Sequence, residues 1–150
     1  MEPVTILREN LGAMTSYGLL GVALLLIGFG GLEIVTQGSL RNKIWRDGHR
    51  GATVLSVTFL LGLAIAVAAS IAVSTGLDQL WRGVLWTFIY GVVTIAMMMF
   101  SFVVIDALTP GPLGSILLDD EDGAGVPPAV WVSSVVFLAI GAFVAASLYL

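Results

Sequence analysis

The chain has 150 residues, a formal net charge of −4 and no cysteine, with 58% hydrophobic and only 11% charged residues. Soluble domains carry about a quarter charged residues, so this composition excludes an ordinary water-soluble fold. Without cysteine there are no disulfides, thiolate metal centres or cysteine nucleophiles, and the acidic balance gives nucleic-acid binding no footing.

Asn10 to Leu32 is a first uncharged run of 23 residues and predicts a helix over about 11–35. A membrane crossing needs about 20 mostly apolar residues. The run is preceded by one basic residue, Arg8, between the acids Glu2 and Glu9, and lacks a small-residue exit. It therefore reads as a retained span and not as a secretory leader. The acid Glu33 follows, then Thr36 and Gly38, then a short segment through Trp45. His49, the only histidine, stands among Arg46, Asp47 and Arg50 and is expected to be a solvated loop residue.

Gly51 to Leu77 is a second run, of 27 residues, predicting a helix over about 51–75. The link through Arg82 is short. Gly83 to Ile105, 23 residues, predicts a third helix over about 83–108, ending on Asp106. Thr109-Pro110 reads as an N-cap with proline at the first helical position of a short following helix. The acids Asp119, Asp120, Glu121 and Asp122 form a predicted solvated loop, and Pro128 to Tyr149 predicts the last helix. The expected fold is all-α and integral to the membrane, a single domain with four transmembrane helices.

The sequence also repeats itself. Tyr17-Gly18 recurs as Tyr90-Gly91, and at the same offset of 73 Glu33 meets Asp106, Thr36 meets Thr109, Gly38 meets Gly111 and Leu40 meets Leu113. Ala68-Ala69-Ser70-Ile71 is echoed by Ala145-Ala146-Ser147-Leu148 at an offset of 77. The reading is a duplicated two-helix hairpin, repeat 1 about 11–75 and repeat 2 about 83–150, with short interfacial segments after the first and third helices. Two crossings per repeat return the chain to its starting side, so the duplication is parallel and both acids reach one membrane face. The cations Arg41, Lys43, Arg46 and Arg50 place that face in the cytoplasm and both termini outside. Tyr17, Trp81, Trp86 and Tyr90 are expected near one headgroup layer and Trp45 near the other.

An acid at a helix C-terminus opposes the helix dipole, which suggests that it binds something. One partner is the amino end of the short helix downstream, with Thr36 and Thr109 as caps and Gly38 and Gly111 permitting the turn. The readings open for Glu33, Thr36, Gly38, Asp106, Thr109 and Gly111 are turn stabilisation, a paired-carboxylate cation or proton site, and a docking surface for a partner.

Asp106-Ala107-Leu108-Thr109-Pro110-Gly111-Pro112-Leu113-Gly114, with its degenerate first copy Glu33 to Arg41, resembles bacterial membrane proteins of domain of unknown function family 350, also called uncharacterised protein family 0719. The resemblance covers about residues 15–150. Pro112 departs from it, standing where the family usually has lysine. It implies a multi-pass cell-membrane protein with an internally repeated four-helix layout and no established activity. Family members encoded beside membrane-stress or ATP-grasp proteins imply a partnered role.

Other chemistry finds little support in the residues. One histidine cannot supply bis-histidine haem ligation or a histidine zinc site, and no nucleophile–base constellation is visible. No cofactor and no enzyme activity are expected. Met97-Met98-Met99 cannot share one helix face and read as packing residues. Gly62, Ala66 and Ser70 recur every four residues, as do Ala64, Ala68 and Ala72, and Gly141 with Ala145. Such spacing lets helices approach closely in lipid, and two small faces on one helix predict a homo-oligomer or a partner membrane subunit. The expected function is a non-enzymatic oligomeric scaffold or accessory subunit linked to envelope function, the alternative a small cation or proton channel or transporter using Glu33 and Asp106.

Overall fold

The computed structural model describes residues 3–36, 39–117 and 125–150. Its elements are α1 (Pro3–Val35), α2 (Leu40–Trp45), α3 (Arg50–Ser74), α4 (Leu80–Leu108), α5 (Leu113–Leu117) and α6 (Pro128–Ser147). The four long helices are each long and apolar enough to cross a membrane. Helix α1 starts eight residues earlier than the sequence predicts, because Pro3 suits a first helical turn and nothing between it and Leu11 breaks the helix. Its 33 residues span about 50 Å against roughly 30 Å of hydrocarbon, so α1 is longer than one crossing requires. The acid cluster at 119–122 lies outside the described residues.

Helix α3 is the hub, packed most extensively on α6 and also on α4 and α1, while α4 packs on α1. Contacts at the glycines give the directions. Along α1 and α4, Tyr17 lies at Gly83, Leu24 at Gly91 and Met99 at Gly31, so the two helices run the same way. Along α3 and α6 the sequence of contacts is Thr58 with Ser134, Phe59 with Phe137 and Gly62 with Gly141, again parallel. Helix α3 runs against α4, since Gly62 meets Met98 while Ser74 meets Gly83. Two helix–short helix–helix units therefore point in one direction, and the ends of α1 and α4 share one end of the bundle.

Between lipid-facing helices burial of apolar surface gives little drive, because the tails are as apolar as leucine; close packing and interhelical hydrogen bonds hold the bundle. At the α3–α6 crossing a Cβ on Gly62 would stand 2.5 Å from the Phe137 carbonyl oxygen, and one on Gly141 would collide with the Gly62 carbonyl. Backbone lies on backbone there. Around it Phe59 meets Phe137 edge-on at 5.0 Å, Phe102 stacks on Phe137 at 6.4 Å, and the Thr58 hydroxyl donates to Ser134 Oγ at 3.0 Å. Of the two small-residue rows on α3, Gly62, Ala66 and Ser70 are buried in the bundle, whereas Ala64 is half-buried and Ala68 and Ala72 are exposed. Met98 is fully buried while Met97 is exposed, as helical rotation requires.

Tyr17 is buried with its hydroxyl end over Gly83, which lies on α4 between the exposed Trp81 and Trp86. It therefore stands at the level of those aromatic residues, as expected, but is turned into the bundle.

Candidate functional site at the paired helix ends

Asp106 lies on the last turn of α4. Beyond it the chain leaves the helix through Thr109 in an extended conformation, then turns at Gly111, whose φ of 120° is costly for any residue with a Cβ. The reversal brings the start of α5 back over α4, and the Leu113 backbone N–H donates to Asp106 Oδ1 at 2.6 Å. A carboxylate accepting from a backbone amide makes a short, charge-assisted bond. Asp106 thus ties the amino end of α5 to the carboxyl end of α4.

The threonines do otherwise than the sequence predicts. Helix α5 begins at Leu113, not Pro110, and Thr109 Oγ1 donates back to the Ile105 carbonyl at 2.8 Å. Thr36 Oγ1 likewise donates to the carbonyls of Leu32 at 2.9 Å and Glu33 at 3.2 Å. Ser39 holds the N-cap position of α2 without a side-chain cap bond. Both threonines finish the preceding helix instead of starting the next, because a hydroxyl at a helix end finds its nearest acceptor one turn back along its own helix. Gly38 lies outside the described residues.

The two turns meet. Gly114 of α5 sits so close to Thr36 that a Cβ would stand 2.5 Å from the Thr36 carbonyl oxygen. At the sequence offset of 73 the residue matching Gly114 is Arg41, whose side chain would not fit such a contact. Leu40 and Leu113, each at the start of its short helix, are fully buried and pin α2 and α5 to the core. Glu33 is half-buried and lines a groove of about 540 Å³ between α1, α2 and α3, with Arg41 near it. The remaining walls of that groove are mostly apolar, including Leu25, Phe29, Ile44, Trp45 and Leu60. Among the described residues no three His, Asp or Glu side chains converge as a metal site.

The family model described as Domain of Unknown Function (DUF350) matches residues 6–148. The chain belongs to the DUF350 family. It is similar to UPF0719 transmembrane proteins of Mycobacterium bovis and Mycobacterium tuberculosis, each 30% identical over 145 residues that cover 97% of this chain and 91% of the relative. A UPF0719 transmembrane protein of Mycolicibacterium paratuberculosis is 24% identical over 131 residues, covering 87% of this chain and 83% of the relative. No solved structure matches.

One residue of this DUF350 protein changes role outright. His49 is buried, not solvated, and is the N-cap of α3, where its Nδ1 accepts from the Ala52 backbone N–H at 3.0 Å. That bond requires Nδ1 to be unprotonated. Histidine is uncommon at an N-cap, so neighbouring charges misled the sequence reading. His49→Ala is expected to cost about 1 kcal/mol, the usual worth of a cap, while His49→Asn keeps an acceptor and most of the stability. Thermal unfolding of the detergent-solubilised protein measures both; equal melting temperatures for wild type and His49→Ala would refute the cap.

Proposed function

We propose that this DUF350 protein is a non-enzymatic, oligomer-forming scaffold or accessory subunit of the bacterial inner membrane, linked to envelope function. In this reading α2 and α5 face the cytoplasm, where Arg41, Lys43 and Arg46 satisfy the positive-inside bias, and both termini lie outside. The observation that carries it is the groove of about 540 Å³ between α1, α2 and α3. In lipid its concave shape, more than its apolar walls, supports a packing partner, because helices associate there by close contact. The bond from Leu113 N–H to Asp106 supports the same reading, since it gives this acid a structural task at the turn.

A second reading is favoured by Glu33, which lines the groove half-buried: a cation or proton pathway in which Glu33 and Asp106 are ligands. Two measurements on reconstituted protein separate the readings. Native mass spectrometry from lipid nanodiscs is expected to give a defined multimer, and flux assays in liposomes no ion transport above protein-free vesicles. A reproducible ion current that Asp106→Asn abolishes would overturn the scaffold in favour of the pathway.

A further inference from the structure

The two halves of the molecule treat the same groove differently. In the second half, the groove between α4 and α6 is walled by Met98, Phe102 and Phe137, and α3 fills it, laying Phe59 and Gly62 against those residues. At the sequence offsets of 73 and 77, the equivalents of Met98, Phe102 and Phe137 are Leu25, Phe29 and Leu60. All three line the open groove between α1 and α3. The same kind of groove is thus occupied in one half and open in the other.

The helix that would fill it is also identifiable. The equivalents on α6 of Thr58, Phe59 and Gly62 are Val135, Val136 and Ala139. Val135 is 65% exposed, and Val136 and Ala139 are half-buried. With 3.6 residues per turn, these three lie on the side of α6 turned away from Ser134, Phe137 and Gly141, which hold α3. Likewise Val57, Leu60 and Ala64 lie on the side of α3 turned away from α6. Neither face can reach the other within one chain.

Resting on the oligomeric reading and the duplication above, we propose that the groove between α1 and α3 receives α6 of a second copy of this chain. Val136 and Ala139 of the incoming helix lie against Leu60 and Ala64, as Phe59 and Gly62 lie against Phe137 and Gly141. The contact carries the relation between the two halves into the next subunit. Because α3 and α6 run parallel within the chain, the copies share one orientation in the membrane. Such a contact joins unlike surfaces, so each copy offers both a groove and a helix, and a closed ring follows if the rotation closes. The occupied groove in the second half and the matching, partly exposed face on α6 together favour this occupant over lipid.

The cysteine-free chain makes the test direct. Copies carrying Leu60→Cys are co-expressed with differently tagged copies carrying Val136→Cys, and the native membranes are oxidised with copper phenanthroline. The expected product is a mixed disulfide dimer, with each single variant alone giving at least tenfold less, and with Leu60→Cys/Val136→Cys in one chain giving a ladder beyond dimer. Self-linking of either single variant as efficient as the mixed pair would overturn the proposal. A multimer in nanodiscs without the mixed disulfide would overturn this interface and leave the oligomeric reading standing. A monomer in nanodiscs would overturn both.

Discussion

Replacing Gly141 by leucine is expected to dissolve the α3–α6 pair. A Cβ at this position meets the Gly62 carbonyl, which is main chain inside a helix and cannot swing aside as a side-chain tip could. The helices must separate, and with them go the Phe59–Phe137 edge contact and the Thr58 to Ser134 hydrogen bond. Overpacking a tight core costs about 1–3 kcal/mol when side chains can shift, and a backbone clash belongs at about 3 kcal/mol or above. Ala72→Leu is the control. That residue is exposed on α3, and its enlargement leaves the α3–α6 seam intact. Thermal unfolding in mild detergent should show a large loss for Gly141→Leu and a small one for Ala72→Leu. Comparable melting temperatures would mean that α6 does not cross α3 at Gly62.

The second large effect is expected at Asp106. Alanine there removes the acceptor of the Leu113 N–H and leaves the first amide of α5 without its partner. A hydrogen bond to a charged group is worth about 1.5–3 kcal/mol. Taking a negative charge off the carboxyl end of α4 returns about 0.3–1 kcal/mol, and Asp106 is only half-buried, so the net loss should be about 1–2 kcal/mol. Asparagine keeps an oxygen in the same place and should lose less than about 1 kcal/mol. Hydrogen exchange at Leu113 reads the effect locally, with fast exchange expected in Asp106→Ala and near-native protection in Asp106→Asn. Equal protection in Asp106→Ala and wild type would show that the carboxylate does not hold α5.

The four spans were legible because their uncharged runs exceed the bilayer requirement and their ends carry charge, Gly or Pro. The common direction of the two units also followed from counting crossings. What stayed hidden depends on contacts between segments distant in the chain. Local spacing suggests that Thr36 and Thr109 cap forward, but the carbonyls one turn back, of Leu32 and Ile105, take their hydroxyls. No local pattern could place Gly114 on the Thr36 carbonyl, since that meeting depends on how α1 and α4 pack. His49 was read from its charged neighbours, whereas its role is set by the amide of Ala52 one turn on. A signal existed there: the only histidine stands ahead of an uncharged helical run, separated from it by one residue, where an acceptor is needed. The small residues of α3 were legible as two rows, and only packing showed that Gly62, Ala66 and Ser70 form the inner one.

The whole account depends on both helix–short helix–helix units threading the bilayer the same way. Single cysteines at the exposed positions Asp47, Asp78 and Ser115, labelled with a membrane-impermeant maleimide in intact and in permeabilised cells, test this directly. The account predicts that positions 47 and 115 label alike and that position 78 labels from the opposite side. Labelling of 47 and 115 from different sides would contradict it.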